Sequence, residues 1–309
     1  MITDDLYNKI LIKPVKNGCD ELFIVSGYSS ASFLRRHMNA VKEINKKVKI
    51  NLLIGIHQTR RDHSAYIDLI KSNPESIEGY YYSGRPGVHS KVYSWIQNKS
   101  PREGFSGSAN YSQYGFFEIS QKNQMMRDDA TQIMEYFLKL KTNSVNFLSY
   151  TPTEDELVQV ENVAGSIPPG ESEWIVPNES MRISFLTKNG QIAKKHSLNW
   201  GQRPGRNPNE ACLPINGDAR ANAFLPPHNF TFTLLTDDGM TMDCKRQQGG
   251  GKAISTTYNN SEIGMYFRKR LNVPLGKFVH TEDLIKYGRT DFVLKKIDDE
   301  TFYLDFKKP

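Results

Sequence analysis

Short apolar runs alternate with amphipathic stretches through the first half of the chain. Leu22-Phe23-Ile24-Val25 is an uninterrupted, partly β-branched run of the kind that a sheet buries on both faces. Residues 29–44 follow, with Phe33, Leu34, Met38, Val41 and Ile44 at helical spacing. The pair repeats. Residues 49–56 read as a strand and 62–70 as a helix, with Ala65, Ile67, Leu69 and Ile70 as its apolar side and Asp62 as its cap. Strand-helix-strand units imply a mainly parallel sheet. Three strand-like runs then crowd together, at 79–82, 90–95 and 104–107. Residues 128–140 close this half as a helix, with Ile133, Met134, Tyr136, Phe137 and Leu140 in register and an acidic start that suits the macrodipole.

Between Tyr150 and Trp174 the rhythm breaks. Pro152, the acidic Glu154-Asp155-Glu156 and then Gly165-Ser166-Ile167-Pro168-Pro169-Gly170 form the best linker in the sequence, which predicts domains at 1–165 and 166–309. Beyond it strands and turns dominate: 181–186 closed by Asn189-Gly190, 230–235 closed by Asp237-Asp238-Gly239, and then 240–246. Asn260 can cap a helix over 262–271, and Thr281-Glu282-Asp283 opens a shorter one ending at Gly288. Phe292, Leu294 and Ile297 alternate, Asp298-Asp299 turns, and 301–306 is a last strand. The expected folds are an α/β first domain, a mixed sheet flanked by helices, and a small β-rich barrel with two helices.

A length of 309 residues suits two domains, each able to bury a core. No run approaches the ~20 apolar residues that cross a bilayer. The start Met1-Ile2-Thr3-Asp4-Asp5 carries acid where a signal peptide carries base, so a cytoplasmic protein with no membrane partner is expected. Cys19, Cys212 and Cys244 are odd in number with no C-x-x-C pair, which predicts reduced core thiols and no metal site. Net charge is +6, with +2 falling on residues 1–165 and +4 on 166–309. Between Lys194 and Arg270 there are 11 basic residues against 6 acidic, which marks that stretch for an anionic partner.

The chemistry gathers in the first half. His89-Ser90-Lys91 opens a strand-like run, and alternation along a strand turns His89 and Lys91 to one face while Ser90 points away. On the next strand come Gly107-Ser108-Ala109-Asn110, where a glycine corner lets backbone and hydroxyl approach a ligand and the Asn110 amide is a neutral donor. Glu118, eight residues after Asn110, can orient one nitrogen of His89. Such a set suits phosphodiester hydrolysis without a metal or cofactor. Histidine attacks phosphorus, while Lys91, Ser108 and Asn110 balance charge on the non-bridging oxygens. A second histidine must protonate the leaving oxygen, and a single H-x-K with its G-S-x-N requires a homodimer to supply it. His57 and His63 flank Arg60-Arg61 with no third ligand at a suitable spacing and read as ordinary surface or core histidines.

His89-x-Lys91, Gly107-Ser108-x-Asn110 and Glu118 resemble the single-copy active site of phospholipase D superfamily nucleases. The longer superfamily pattern has Asp five residues after the lysine, where Ile96 stands here, a departure that counts against the two-copy lipid enzymes. With Asn199-Trp200-Gly201-Gln202-Arg203-Pro204-Gly205-Arg206, Asp237-Asp238-Gly239, Gly251-Lys252-Ala253-Ile254 and Tyr287-Gly288-Arg289-Thr290-Asp291 in the second half, the whole chain resembles NgoFVII-type restriction endonucleases. That resemblance implies a phospholipase D-like nuclease followed by a DNA-binding pseudobarrel. It also implies type II-like cutting of double-stranded DNA, a cognate methyltransferase and, in some members, an ATP-dependent companion protein. This chain has no G-x-x-x-x-G-K-[ST] loop, so any ATP dependence would belong to another polypeptide. A lipid or nucleotide phosphodiesterase, and a DNA-binding protein with a degenerate nuclease site, remain the alternatives.

For recognition, residues 199–209 form a Gly/Pro-rich loop carrying Trp200, Gln202, Arg203 and Arg206, whose guanidinium groups suit guanine in a groove. Arg246, Gln247 and Gln248 precede Gly249-Gly250-Gly251-Lys252, a stretch able to approach phosphates through its backbone, so that Arg246, Gln248 and Lys252 join the expected DNA contacts. Arg268-Lys269-Arg270 ends a helix, where cations complement the dipole.

Overall fold

The computed structural model describes residues 1–56, 63–117, 122–151, 180–215, 224–228, 230–247 and 251–308. The chain divides into two compact units, Met1–Leu157 and Val158–Pro309. The linker boundary expected at 165 and the expected cap Asp62 lie outside the described residues.

The apolar run at Leu22 becomes β1 (Glu21–Ser26), the middle strand of a seven-stranded sheet. It pairs in parallel with β2 (Lys49–Ile54), and β2 in turn pairs in parallel with β3 (Ile77–Tyr82). On its other side β1 runs antiparallel to β4 (Lys91–Gln97), followed outward by β5 (Ser100–Gly107) and β6 (Met125–Asp128). The short β7 (Ser144–Asn146) runs antiparallel to β3 at the opposite edge. The parallel rule therefore covers only β1 to β3. Between β4 and β5 the chain turns through Asn98 and Lys99, both at positive φ (50° and 66°), and so short a hairpin can only return antiparallel.

Helices cover both faces. A π-helical segment (Tyr7–Ile12) leads into α1 (Lys13–Lys16), and α2 (Ala31–Ile44) is capped by Ser30, whose hydroxyl accepts from the Phe33 N–H at 3.2 Å. Then follow α3 (His63–Ser72), α4 (Gln113–Phe116) and α5 (Ala130–Lys141). Phe33, Leu34, Met38 and Val41 of α2 share a core with Leu22 and Ile24, whereas Val25 packs with Leu53, Tyr80, Phe137 and Leu140 on the α5 side. Residues of β1 thus feed two cores, which is why its sequence is apolar without interruption. The helix expected from Asp128 starts two residues later. Asp128 closes β6, and the Asp129 carboxylate accepts from the N–H groups of Thr131 and Gln132 at 2.8 and 3.0 Å.

The second unit is another seven-stranded sheet, in the order β8-β13-β14-β10-β11-β12-β9. Its strands are β8 (Ser180–Ser184), β9 (Leu213–Pro214), β10 (Thr231–Thr236), β11 (Thr241–Gln247), β12 (Ala253–Thr256), β13 (Asp291–Asp298) and β14 (Thr301–Asp305), and only β10 and β14 pair in parallel. Phe232, Leu234, Phe292, Leu294, Phe302 and Leu304 turn inward onto Ile263 and Phe267 of α6 (Ser261–Leu271), with Leu284 of α7 (Thr281–Tyr287) closing the end. Asn260 stands at the N-cap as expected but makes no side-chain cap bond; the Asn259 side chain accepts from the Ser261 N–H at 3.1 Å instead. All three cysteines are free and buried. Among the described residues no helix is long and apolar enough to cross a membrane.

Burial in the first unit drives the His37 imidazole, wholly enclosed on α2, down to about 4 from its ordinary 6.5. The folded chain then binds fewer protons there than the unfolded one, so stability present above pH 6.5 is lost as pH falls toward 4. The loss expected over that window is up to about 3 kcal/mol, at ~1.4 kcal/mol per pH unit. Denaturant unfolding of the native chain and of His37→Gln at stepped pH checks this, because the variant should lose that part of the slope.

Candidate active site and nucleic-acid interface

The carboxyl end of β1 is where the sheet changes from parallel to antiparallel pairing, an opening that open α/β sheets use for ligands. In the β1–β4 register Ser26 stands opposite Lys91. His89 reaches the same place on the segment before β4, and two glycines make room for it. A β-carbon on Gly27 would lie 3.1 Å from the His89 ring, and one on Gly55 would lie 1.9 Å from the Val88 carbonyl oxygen. The 87–89 segment therefore rests directly on the ends of β1 and β2, with the Val88 N–H donating to the Gly55 carbonyl at 2.9 Å.

The Lys91 ammonium is buried and donates to the His89 carbonyl at 2.7 Å, with the two ring nitrogens of His89 at 3.1 and 3.3 Å. Burial, then the Lys91 charge, hold His89 below its ordinary value, and burial lowers Lys91 as well. Ser90 points away, its hydroxyl 3.1 Å from the Tyr136 hydroxyl on α5.

The second half of the constellation arrives from the end of β5. The Asn110 amide oxygen accepts from the Tyr28 N–H at 3.2 Å and lies 3.3 Å from the Ser26 hydroxyl. Its amide nitrogen has no partner among the described residues, which leaves the NH2 as an uncommitted donor. Ser108 is used otherwise. Its hydroxyl donates to Asn123 Oδ1 at 2.9 Å and accepts from the Gln124 N–H at 3.0 Å, while its own N–H donates to the Gln124 carbonyl at 3.0 Å. Ser108 thus ties the chain before β6 to the end of β5. Glu118 lies outside the described residues. Ser26, Gly27, Tyr28, Gly55 and Asn123 are the residues that sequence reasoning missed, since contacts across strand ends leave no local pattern. His63 is buried, with its Nδ1 3.2 Å from the Tyr81 hydroxyl, His57 lies outside the described residues, and among those described no three His, Cys, Asp or Glu residues are grouped to hold a metal.

In the second unit the loop 199–209 is held from beneath. Arg268 of α6 is fully buried, and its guanidinium donates to the carbonyls of Lys277 (2.8 Å), Leu198 (3.1 Å), Gly264 (3.2 Å) and Asn209 (3.5 Å). It meets four carbonyls and no carboxylate, so it replaces the expected dipole complement with a brace. Asn199 adds a second tie by exchanging hydrogen bonds of 2.8 Å with the Val279 carbonyl and N–H. Trp200 is buried with Cys212 and Ala253, and the Arg206 guanidinium lies 4.1 Å above its ring and 2.8 Å from the Glu210 carboxylate. Gln202 donates to the carbonyls of Pro208 and Gly276 at 3.0 and 3.2 Å. Arg203 is exposed, and among the described residues only its Nε is engaged, on the Lys195 carbonyl at 2.7 Å.

Arg246 is also buried. Its Nε donates to the Gly251 carbonyl at 3.2 Å and Nη1 to that of Pro226 at 3.4 Å, which fastens the turn before Lys252. Trp200 and Arg246, expected at the DNA, support the surface from within because ring stacking and carbonyl acceptors satisfy them there. Lys252 is exposed, and Gln248 lies outside the described residues.

Residues 4–151 match the model of the NgoFVII restriction endonuclease N-terminal PLD domain, and residues 174–298 match that of the NgoFVII C-terminal B3-like DNA-binding domain. Among solved structures the chain is similar to NucT from Helicobacter pylori, at 18% identity over 46% of this chain and 90% of that one, with a TM-score of 0.35. Nuc from Salmonella typhimurium, a phospholipase D family member, matches at 14% identity over 44% and 87%, with a TM-score of 0.34. A hypothetical protein of Arabidopsis thaliana matches at 16% identity over 41% and 88%, with a TM-score of 0.23. No curated protein matches the chain.

The Arg268 brace is testable alone. Arg268→Met keeps the volume but takes the donor from the buried Leu198 carbonyl and from the part-buried carbonyls of Lys277 and Asn209, a buried acceptor left unsatisfied costing ~1–3 kcal/mol. The second unit is expected to lose about 3 kcal/mol or more in denaturant unfolding, whereas Lys269→Met, one residue along, should change little.

Proposed function

Since the chain carries both the N-terminal PLD domain and the C-terminal B3-like DNA-binding domain of NgoFVII restriction endonucleases, it belongs to that family, and we propose that it cuts double-stranded DNA of one sequence as a homodimer through a covalent phosphohistidine. The reading rests above all on the Lys91 ammonium in contact with His89, beside Ser26, to whose hydroxyl the Asn110 amide is tied. A neutral imidazole has a lone pair, and the adjacent buried ammonium disfavours a second positive charge on the ring, so one His89 is free to attack; the partner's His89 takes up its proton once the negative charge of the seated phosphate offsets that ammonium.

In the first step a ring nitrogen of His89 bonds to phosphorus and the bond to the leaving oxygen breaks. That oxygen takes a proton from His89 of the partner subunit. In the second step water attacks phosphorus, gives its proton to the partner's His89, and the P–N bond breaks. Lys91 and the Asn110 NH2 balance the charge that grows on the non-bridging oxygens. Ser108 joins them by exchanging its bond to Asn123 for one to phosphate, and Glu118 orients the His89 ring. No step draws on a divalent ion or cofactor. Arg203, Arg206, Lys252 and Gln248 meet the DNA, over the support of Trp200, Gln202 and Arg246. A cognate methyltransferase, and an ATP-dependent companion in cells, complete a type II-like restriction system inside the cytoplasm.

Cleavage of a DNA duplex and of an activated phosphodiester such as bis(p-nitrophenyl) phosphate, both in EDTA, tests the chemistry. Native protein should turn over the small diester without magnesium. His89→Ala should lose both activities and still bind its DNA site, since binding belongs to the second unit. Loss of binding along with cutting, or turnover only after magnesium is added, would falsify the mechanism. For recognition, Arg203→Ala is expected to weaken the specific complex by ~1–3 kcal/mol and to relax the site preference. An unchanged preference in a binding selection would remove Arg203 from the reading set.

A further inference from the structure

The residues that hold Asn110 in place lie in the interior. On one side the Ala109 carbonyl accepts from the Tyr93 hydroxyl at 2.7 Å. On the other, the Tyr111 N–H donates to the Ser26 hydroxyl at 2.9 Å, and the Tyr111 carbonyl accepts from the Ser30 N–H at 3.2 Å. Ser26 is the same hydroxyl that lies 3.3 Å from the Asn110 amide oxygen, and it donates to the Tyr28 carbonyl. The Tyr111 side chain then runs inward, where its hydroxyl meets His37 Nδ1 at 2.6 Å. The other nitrogen of that ring lies 3.2 Å from the Leu11 carbonyl.

A carbonyl can only accept, so His37 carries its proton on Nε2. Nδ1 therefore presents a lone pair, and the Tyr111 hydroxyl is the donor. Tyr111 and His37 are wholly buried, and Phe33 lies edge-on to Tyr111 with ring centres 5.0 Å apart. The bond is directional and has no water to exchange with. Its length fixes how far the backbone at 110–111 stands from α2, and through Ser26 from the end of β1.

We propose that His37 and Tyr111 are positioning residues for the reaction, a buried pair that holds the Asn110 amide nitrogen toward the reacting phosphate without touching it. The proposal rests on the reading of Asn110 as a phosphate donor. A donor displaced by about 1 Å loses most of its effect on a transition state, with rate losses on the order of 100-fold. Tyr111→Phe keeps the ring and the Ser26 bond but removes the anchor, so kcat should fall roughly 10-fold with KM unchanged.

A double-mutant cycle on kcat for the activated diester, with thermal unfolding recorded for every variant, tests it. Tyr111→Phe should lower kcat in the native background and have no further effect in Asn110→Ala. His37→Leu should repeat the loss. His37→Gln, whose amide can accept from Tyr111 and donate to Leu11 at once, should restore most of it. Full additivity of Tyr111→Phe with Asn110→Ala, or a lower melting temperature with native kcat, overturns the positioning role. Native kcat in Asn110→Ala overturns instead the reading of Asn110 on which it rests. If His37→Leu does not fold, Tyr111→Phe, which removes a single oxygen, carries the test by itself.

Discussion

An ammonium beside an imidazole, both at the end of β1, is the contact on which the nuclease half turns. Lys91 is too buried to exchange freely with water, and its carbonyl bond to His89 fixes it against the ring. Two positive charges this close in a partly dry site repel by several kcal/mol, so one group gives up its proton first, and the histidine is the weaker base. The fold secures this by bringing a strand start and a strand end together. β4 must begin antiparallel beside the carboxyl end of β1, and residues 27 and 55 must lack side chains for the 87–89 segment to settle there. The site is thus a consequence of sheet topology before it is a consequence of side chains.

The second unit solves a different problem with related means. Loop 199–209, proposed to read DNA, must present cations without collapsing onto itself, and ordering a floppy loop at binding would cost affinity. Here the ordering is completed in folding. Arg268 and Asn199 fasten the loop to α6 and to the segment before α7, and Trp200 gives it an apolar floor. The exposed groups that remain, Arg203 and Arg206, stand on a frame that is already fixed. A guanidinium suits the frame because its five donors meet several carbonyls at once, which a lysine cannot do.

Much of this was legible in the sequence, for reasons that differ by element. β1, β2 and α2 could be read because burial on both faces, or on one face, writes itself into residue order, and H-x-K put His89 and Lys91 close enough in sequence to touch, although His89 stands before β4 and not within it. What was hidden depends on partners distant in sequence. Nothing around Asp128 says that a neighbouring strand claims it before the helix does. Arg268-Lys269-Arg270 shows only a basic helix end, and the carbonyls that draw the first of these inside come from residues 198, 209, 264 and 277. Ser108 looked free to meet a phosphate because its bond to Asn123 crosses from β5 to the segment before β6. Short-range pattern reports burial and handedness, but it does not report which donor meets which acceptor across strands.

The two halves also differ in how their charge meets solvent, and this separates binding from chemistry. In the second unit the cations of loop 199–209, Arg203 and Arg206, face water. Exposed charges act through a field that salt screens within about 8–10 Å, and their hold on phosphates weakens as counterions accumulate. Lys91 acts at contact distance from within the protein, where salt penetrates little. Rising ionic strength therefore bears on whether DNA is held and much less on what happens to a phosphate once it is seated.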